Sequence, residues 1–203
     1  VAIGGGVSPL RFVRAMRDLQ LLAFSTSSSA AVMPLTMRTA EEKLGVRNSI
    51  CQFVIPLGAT INMNGTGLYQ GVATIFLAQV FAVDLSVSDL ALIVVTAVAA
   101  SIGSPAAPGV GIVILSMVLG SAGIPVAGLG LIIGVDRILD MSRTVVNVSG
   151  DVVAAVVLDR RVGGETSAAE QRAASRQREA KRARTGADVI VDPPVPAAAQ
   201  DRN

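Results

Sequence analysis

Two long stretches of this chain carry no charged side chain, one from residue 48 to 83 and the other from residue 90 to 135. Both exceed the roughly 20 apolar residues that an α-helix needs to cross the ~30 Å hydrocarbon core of a bilayer. Only 16% of the residues are charged, whereas about a quarter is usual in a soluble domain. The sequence therefore predicts a membrane protein followed by a polar tail.

The side chains that are rare in this chain exclude several classes of function. The chain has no histidine and one cysteine, which excludes a His-ligated zinc site, a disulfide framework, and Ser-His-Asp or Cys-His catalysis. We expect no enzymatic activity. A net charge of +2 gives no reason to expect a nucleic acid partner. Because the chain starts at a valine within an ongoing element, we also expect it to be a fragment of a longer protein.

The segment at about 8–45 is predicted to be two short helices around a serine-rich turn. Ser8 and Pro9 are typical of a helix start, but the helix that follows would be only about 24 Å long, too short to cross the membrane. After a Ser-Thr-Ser-Ser-Ser turn, a second helix is predicted to start at Pro34 and to stop at Gly45. This pattern indicates a re-entrant hairpin, which enters the membrane and returns to the same side.

Two further segments are interrupted at mid-depth. The span at about 49–83 reads Asn-Met-Asn-Gly-Thr-Gly at residues 62–67, which hydrocarbon tolerates only where unwound backbone is buried in protein or lines a cavity. It is predicted to be a broken helix. The segment at about 88–122 has three glycines and two prolines within residues 102–111, and a helix cannot continue through them. It is predicted to be a second re-entrant hairpin.

The last helix, at about 127–158, carries a polar stripe. At 100° per residue, a group of ionisable, hydroxyl and amide side chains falls within an arc of roughly 100°. These side chains are Asp136, Asp140, Arg143, Thr144, Asn147 and Asp151. Interrupted segments in corresponding positions around such a stripe are typical of a secondary transporter with a binding site at the membrane midplane.

Arg143 and Asp140 are the strongest candidate site residues. A guanidinium is always charged and binds a carboxylate through two parallel hydrogen bonds, and Asp140 on the same face can hold an ammonium group. Together they fit a ligand with a carboxylate and an amine. The alternative is a structural ion pair between the two, with Asp136 and Arg137 as a second such pair. Ionisable groups inside a membrane are functional by default, which favours the binding site.

Oxygen ligands for a small alkali cation form the second candidate group. Asn147 and Asp151 extend the polar stripe by one turn each, and Gly58, Thr60 and Asn62 lie near the break, where unwound backbone frees carbonyl oxygens. The alternative is that the asparagines of the break only cap its helix ends. The two hairpin turns would present backbone N–H groups to an anion, or they are plain turns.

Four motifs follow one another along the chain. They are the serine tip at 27–29 with Pro34, the run at 58–66, the turn at 101–104 with Pro108 and Gly109, and the polar stripe of the last helix. This order is seen in the glutamate/aspartate transporters, the dicarboxylate/amino acid:cation symporter family. Roughly from Ser8 to Leu158, the chain resembles the C-terminal half of that family's transport domain.

Together, the interrupted segments and the resemblance predict an all-α membrane protein. It would have two re-entrant helical hairpins, one broken transmembrane helix, one polar-striped transmembrane helix and a disordered tail. Residues 1–158 would form the C-terminal part of the membrane transport domain. Residues 159–203 would be a polar tail, largely disordered and cytoplasmic, since arginines follow the last helix.

The resemblance implies a role for each substrate-binding residue. Arg143 would bind the side-chain carboxylate of the substrate with Thr66 nearby, and Asp140 would bind the amino group. Asn147, together with Ser29, would hold the α-carboxylate, and the second hairpin would be the gate. The implied substrate-binding residues are Ser28, Ser29, Thr66, Ala107, Pro108, Gly111, Asp140, Arg143, Thr144 and Asn147.

Sodium is the co-transported ion that the resemblance implies. One ion would lie near Asp151 and the amides of the stripe and the break. A second would be enclosed by carbonyl groups of the break and the second hairpin, and Met63 would lie between substrate and ions. The residues implied to bind sodium are Gly58, Thr60, Asn62, Met63, Ser101, Ile102, Ser104, Asn147 and Asp151.

The chain departs from the family pattern in three ways. Asn64 stands where the family's motif has aspartate, which removes one carboxylate of a third sodium site. The second tip reads Ser-Pro-Ala-Ala-Pro instead of a glycine-containing variant, which would stiffen the gate. The family's earlier helices, including the scaffold through which a homotrimer would form, are not in this chain.

The lead interpretation is sodium-coupled symport of acidic amino acids, aspartate or glutamate, by an elevator mechanism in a multi-pass protein of the plasma or inner membrane. A proton- or sodium-coupled C4-dicarboxylate symporter is the alternative, ranked second because Asp140 favours an amine. An anion-conducting channel and a non-transporting remnant are alternatives of other classes. Gating hairpins and a charged pair favour occlusion of a substrate over free flow.

Overall fold

A computed structural model describes residues 2–162 of the chain. This part is helical, without a β-strand, and the predicted tail lies outside the described residues from 163 onward. The helices of the described part are α1 (Ala2–Gly5), α2 (Pro9–Thr26), α3 (Ser29–Leu44), α4 (Asn48–Ile61), α5 (Asn64–Val80), α6 (Val87–Ser101), α7 (Val110–Ser121) and α8 (Leu129–Val162).

Local chemistry sets the ends of α2 and α3. Ser8 caps α2, and its Oγ accepts a hydrogen bond from a backbone N–H of the first turn at 3.3 Å. α3 ends at Gly45, whose φ of 77° suits a glycine. The predicted start of this helix at Pro34 is wrong, because Ser28 caps α3 and the helix begins at the next residue. Pro34 lies inside the helix, where its missing N–H removes a single backbone hydrogen bond.

The break predicted within residues 49–83 lies at Asn62 and Met63, which have non-helical backbone between α4 and α5. The unwound part is shorter than predicted, because Asn64 already begins α5. Met63, at the N-cap position, does not cap the backbone N–H groups of α5 with its side chain. Instead, the N–H of Gly65 donates to Asn147 Oδ1 at 2.7 Å. A side chain of α8 thus satisfies a backbone donor at the start of the second half-helix.

The turn at 102–109 separates α6 from α7. Gly103 and Gly109 have φ values of 76° and 80°, a left-handed conformation that glycine adopts without strain. The N–H of Gly103 donates to the carbonyl oxygen of Thr60 at 2.7 Å. The turn of the second helix pair is therefore tied directly to the end of α4.

α8 is the central helix and contacts α2, α3, α4, α5 and α7. A short 3₁₀ turn leads into it, and it continues to Val162, past the predicted end at 158. Its C-terminal half joins α2, α3 and α4 in an apolar cluster that includes Met16 and Val152. Its N-terminal part joins α5 and α7 in a second cluster that includes Leu77 and Ile132. The polar residues of the stripe from 140 to 147 lie between the two clusters.

Three charged side chains of the described part lie inside this structure, and many large apolar side chains lie on its surface. Asp140 is 3% exposed and Arg143 7%, whereas Val95 is 64% and Met117 65% exposed. Soluble proteins rarely bury charged residues fully, and an apolar exterior around buried ionisable groups suits a hydrocarbon environment. By length and composition, one helical stretch of the described residues, Val126–Val162, can cross a membrane, and α6 and α7 are shorter apolar helices.

Candidate functional site

The polar stripe, the break and both turns meet at one small cavity. Its volume is about 20 Å³, which is room for about one water molecule. Ser28 and Pro108, two of the predicted substrate-binding residues, do not line it. The predicted substrate-binding residues that do line it are Ser29, Thr66, Ala107, Gly111, Asp140, Arg143, Thr144 and Asn147.

Several residues that line this cavity were predicted for the sodium sites or were not predicted from the sequence. Met63 and Ser104, expected at the sodium sites, both line this cavity. Most of the lining residues that were not predicted lie next to predicted tip residues in the sequence, and this proximity could have identified them. Nothing in the sequence marks Ile114. The missed lining residues are Ser27, Pro105, Ala106, Val110 and Ile114.

Arg143 and Asp140 form a buried ion pair between Nη2 and Oδ1, with 5% and 4% of their side chains exposed. The Tyr69 ring faces the guanidinium, with 5.0 Å between Cζ and the ring centroid, a distance that gives a cation–π interaction. Arg143 Nη1 is buried and has no hydrogen-bond partner within the described residues. The ion pair expected for a structural role therefore exists, but it leaves the guanidinium with unused capacity to bind an anion.

Asp136 and Arg137, the other pair considered from the sequence, contact different partners in the described part of the chain. Asp136 Oδ1 accepts a hydrogen bond from the Tyr69 hydroxyl at 3.1 Å. Arg137 Nη2 lies 3.5 Å from the carbonyl oxygen of Ser25, at the end of α2. Tyr69 therefore links the guanidinium of Arg143 to a second carboxylate of the stripe.

The turn at 102–109 and the start of α7 are held against the site by hydrogen bonds from three directions. Asp140 Oδ2 accepts from the N–H of Gly109 at 2.9 Å. Gln70 Nε2, on α5, donates to the carbonyl oxygen of Gly111 at 2.9 Å. Ser28 Oγ, at the other turn, donates to the carbonyl oxygen of Ala106 at 2.8 Å. Gln70 was not predicted from the sequence, although an amide within an otherwise apolar helix is a signal of such a link, and the structure buries it fully.

Gly111 lies directly against the guanidinium of Arg143. A Cβ atom built on this glycine would overlap Nη1 and would lie 2.6 Å from Cζ. Any larger residue here would push the charged group aside. The absence of a side chain at this position therefore fixes where the guanidinium can lie.

Asn147 connects the polar stripe to the broken helix through both the oxygen and the nitrogen of its side-chain amide. Besides accepting from Gly65 N, it places Nδ2 at 3.3 Å from Met63 Sδ and at 3.3 Å from Thr66 Oγ1. A thioether is a weak acceptor. The amide N–H groups are therefore held in place by partners that a carboxylate can replace.

Gly58, Asn62 and Asp151, predicted to bind a cation, are brought together at the other end of the stripe. Asn62 Nδ2 donates to Asp151 Oδ1 at 3.0 Å, and a Cβ atom on Gly58 would lie 2.5 Å from the same oxygen. Asp151 is 1% exposed. A Cβ on the neighbouring Gly150 would lie 2.7 Å from Asn64 Nδ2 and 3.0 Å from Asn62 Nδ2, so the amides of the break pack tightly onto α8 here.

The second predicted cation group lies where the break meets the second turn. The carbonyl of Thr60 accepts from Gly103 N, and that of Ser101 accepts from Ser104 N at 3.3 Å. Each carbonyl oxygen keeps a second lone pair, while the side chain of Ile102 is 53% exposed. No cluster of three acidic, His or Cys side chains occurs among residues 2–162. A cation here would therefore be held mainly by neutral oxygens, as sodium is in broken-helix sites.

A second, larger cavity runs between α5 and α8. Its volume is about 430 Å³, and apolar side chains such as Leu68, Val72 and Phe76 dominate its walls. Arg143 and Tyr69 also line this larger cavity. The polar groups that could orient a charged ligand converge on the smaller cavity, which is therefore the candidate binding site.

Known proteins resemble this chain over its helical part. The family described as "Sodium:dicarboxylate symporter family" matches residues 1–161. A proton/sodium-glutamate symport protein of Bacillus subtilis is 46% identical over 79% of this chain and 37% of its own length. Excitatory amino acid transporter 3 of Oryctolagus cuniculus is 46% identical over 75% of this chain and 29% of its own. A putative sodium-dependent excitatory amino acid transporter of Caenorhabditis elegans, glt-4, is 45% identical over 75% of this chain and 31% of its own. The chain spans about a third of the length of these relatives.

Proposed function

The chain belongs to the sodium:dicarboxylate symporter family, and from this premise we propose that it forms the C-terminal half of the transport domain of a sodium-coupled symporter for acidic amino acids. This family is one of membrane transport proteins and not of enzymes. The relatives named for glutamate transport support an acidic amino acid as the substrate. In this proposal the chain would be one part of a longer protein that supplies the rest of the transporter.

The observation that carries this proposal is the buried pair of Arg143 and Asp140 with an unpaired Nη1, at the meeting point of both turns. An acidic amino acid carries two carboxylates and one ammonium, so it can pair with both members of this ion pair. When one carboxylate binds Arg143 and the ammonium binds Asp140, one internal ion pair becomes two ion pairs, and the second carboxylate is left for neutral hydrogen-bond donors. This exchange matters because an unpaired buried charge costs about 3–5 kcal/mol.

The C4-dicarboxylate alternative ranks second because a dicarboxylate offers no partner for Asp140. A dicarboxylate would take Arg143 from Asp140 and bring no ammonium in return. Asp140 would keep one hydrogen bond, from the N–H of Gly109 at 2.9 Å, and that bond is the observation in favour of this alternative. The structure therefore favours a substrate with an amine without requiring one.

We assign the remaining substrate contacts as the family resemblance implies. Asn147 and Ser29 hold the α-carboxylate, and Thr66 and Thr144 complete the walls. Asn147 supports this role, since among residues 2–162 the partners of its Nδ2 atom are a thioether and a hydroxyl. Ser28 and Pro108 act indirectly in this scheme, because they shape the two turns and do not line the cavity.

Entry of a substrate requires the second turn to move. A cavity of about 20 Å³ is far too small for an amino acid. The turn at 102–109 and the start of α7 are held by a few hydrogen bonds, to Asp140, Gln70, Ser28 and Thr60. We propose that these bonds break and re-form as this hairpin opens and closes over the substrate.

Sodium ions are proposed as co-substrates at two places. Asp151, with Asn62, Gly58 and Asn147, forms the first. The carbonyls of Thr60, Ser101, Ile102 and Ser104 form the second, where the second turn meets the break. Since the turn contributes to the second place, an ion there would stabilise the closed hairpin, and this couples sodium binding to closure over the substrate. Met63, which lines the cavity, would lie between substrate and ions.

The helix lengths support re-entrant hairpins. α2, α3, α6 and α7 contain 18, 16, 15 and 12 residues, or about 18 to 27 Å at 1.5 Å per residue, short of the ~30 Å core. The two turns touch through Ser28 and Ala106. We propose that the hairpins enter from opposite sides and meet at mid-depth. Arg160 and Arg161 at the end of α8 favour a cytoplasmic C-terminus.

An elevator movement is the transport step that we propose. The chain would be part of a body that carries the substrate across the membrane against a trimeric scaffold formed by the rest of the protein. Its exposed apolar side chains would face lipid or that scaffold. Residues 163–203, beyond the end of α8, would form the cytoplasmic tail.

The proposed function can be tested by thermal unfolding of the full-length protein in detergent. L-aspartate should raise the melting temperature in sodium chloride and leave it unchanged in choline chloride, because ion binding and hairpin closure are coupled. Succinate should give a smaller shift than aspartate. Stabilisation by succinate alone, independent of sodium, would overturn the proposal in favour of the dicarboxylate alternative.

A further inference from the structure

α2 carries three arginines on its exposed surface. Arg11, Arg14 and Arg17 follow one another at a spacing of about one turn, and all three are exposed. None of them forms a salt bridge within the described residues. Asp18, the one acidic residue of α2, binds a different partner, because its Oδ2 accepts from Lys43 Nζ on α3 at 2.7 Å. The start of α2 therefore presents three positive charges for which the described fold provides no salt-bridge partner.

One face of α2 changes from basic to apolar along the helix. At 100° per residue, Arg14, Arg17, Leu21 and Phe24 fall within an arc of about 80°, and we call these four residues the α2 face. Leu21 is 60% and Phe24 38% exposed, so the apolar part of this face is not covered by the described fold. A phospholipid has the same order of groups, since its charged headgroup is followed by an apolar acyl chain.

The proposed placement of the first turn, residues 27–28 between α2 and α3, at mid-depth in the membrane sets the level of the α2 face. Arg17 precedes Ser27 by ten residues, or about 15 Å at 1.5 Å per residue, which is half of the ~30 Å hydrocarbon core. Arg14 lies about 4.5 Å further out, within the headgroup layer, which is about 5–7 Å thick. Both guanidinium groups therefore lie at the level of the lipid phosphates, and the apolar part of the face lies among the acyl chains.

The start of α2 lies at the same end of the structure as the end of α8. A Cβ atom built on Gly6, just before α2, would overlap Arg160 Nη1, and Arg161 follows in the last turn of α8. The positive-inside rule makes such an arginine-rich end cytoplasmic. The cytoplasmic leaflet contains anionic lipids and has a negative surface potential that attracts basic segments. The charge of the α2 face is therefore complementary to the leaflet that it would face.

We propose that the α2 face binds an anionic phospholipid of the cytoplasmic leaflet, with the phosphate at Arg14 and Arg17 and an acyl chain along Leu21 and Phe24. This inference rests on the proposed function, which places the first turn at mid-depth. A guanidinium binds a phosphate through two parallel hydrogen bonds, and the adjacent apolar side chains favour a lipid over a soluble anion. The bound lipid would stabilise the position of the moving body in which these arginines meet the headgroups.

The test is native mass spectrometry of the full-length protein in detergent, titrated in parallel with dioleoylphosphatidylglycerol and dioleoylphosphatidylcholine. The double variant Arg14→Gln, Arg17→Gln removes both charges and keeps polar side chains on the surface. Each basic residue near an anionic surface strengthens attachment about fivefold, so the double variant should bind phosphatidylglycerol about 25-fold more weakly. Wild-type protein should bind phosphatidylcholine more weakly than phosphatidylglycerol, and the two substitutions should leave phosphatidylcholine binding unchanged.

Arg38, on α3, is the matched control. It follows Ser28 by ten residues, so it lies at about the same depth as Arg17. Its side chain is 60% exposed, but its Nε binds Glu42 Oε2 at 3.1 Å. Arg38→Gln should therefore change the affinity for phosphatidylglycerol less than about twofold.

Three results would overturn the inference. They are an unchanged affinity for phosphatidylglycerol in the double variant, an equal loss in Arg38→Gln, and equal binding of both lipids by the wild-type protein. A melting temperature that falls equally with and without phosphatidylglycerol in the double variant would also overturn it, because the arginines would then bind acidic groups of the rest of the protein. Sodium-dependent stabilisation by L-aspartate should persist in the double variant. Its absence from the wild-type protein would overturn the proposed function, while lipid binding would still be measurable.

Discussion

Replacing Gly111 by alanine should weaken substrate binding without unfolding the protein. A Cβ atom at this position would overlap Arg143 Nη1 and lie 2.6 Å from Cζ and 2.8 Å from Nη2. The guanidinium is the end of a flexible side chain, so the fold can adapt by moving it. The move, however, displaces the one group that is positioned to bind a substrate carboxylate.

The size of the effect follows from the contacts of Arg143. A displaced guanidinium loses its alignment with Asp140 and with the Tyr69 ring, 5.0 Å away, and it no longer points its unpaired N–H into the cavity. Losing one hydrogen bond to a charged group costs about 1.5–3 kcal/mol. At about 1.4 kcal/mol per factor of ten, Gly111→Ala should raise the dissociation constant for aspartate by about ten- to 150-fold.

The assay is calorimetric titration of the full-length protein with L-aspartate in saturating sodium, and α7 provides a matched control. Nothing lies within 4 Å of a Cβ atom built on Gly120. Gly120→Ala should therefore leave the affinity unchanged and stabilise the helix by up to about 1 kcal/mol. Wild-type affinity in Gly111→Ala, or an equal loss in Gly120→Ala, would refute the argument that an unobstructed guanidinium controls binding.

Further substitutions test the ion sites and the contact between the turns. Asp151→Asn should shift the sodium dependence of aspartate binding to higher concentrations, because it removes the one carboxylate of the first ion site; an unchanged sodium titration would count against that site. Gly150→Ala should have a similar effect, because its Cβ would displace both amides of the break. Gly134→Ala, on the same helix, should leave the sodium dependence unchanged, because nothing lies within 4 Å of a Cβ atom built on Gly134. Ser28→Ala should speed aspartate release in stopped-flow measurements by removing the 2.8 Å bond to Ala106; an unchanged rate would exclude Ser28 as a link between the turns.

The helix interruptions could be predicted from the sequence because local chemistry determines them. The glycines and prolines of the second turn and the polar residues at the break cannot continue an apolar helix, and the helices do end there. The start of α3 was predicted wrongly because Pro34 and Ser28 are both typical of helix starts. The serine cap determines the first turn, and a proline further along removes only one hydrogen bond.

The polar stripe could also be predicted from the sequence, since helical periodicity places its residues on one face of the helix whatever surrounds them. Five of the six are buried as expected, and Asp136 is half-buried. Which residues meet them from other helices was beyond local reasoning. Gln70 and Ser27 reach the site from α5 and from the first turn, and nothing in their sequence surroundings specifies the faces that pack together. The roles of the substrate- and sodium-binding residues stay predictions.

The central claim is that the Arg143 guanidinium, buried beside Asp140, binds the substrate carboxylate. The most direct test is calorimetry of L-aspartate binding to full-length Arg143→Ala in saturating sodium, with the sodium-dependent melting temperature as evidence of folding. We expect no detectable aspartate binding in a variant that still responds to sodium, and we expect it to admit neutral amino acids. Aspartate binding at wild-type affinity in this variant would contradict the claim.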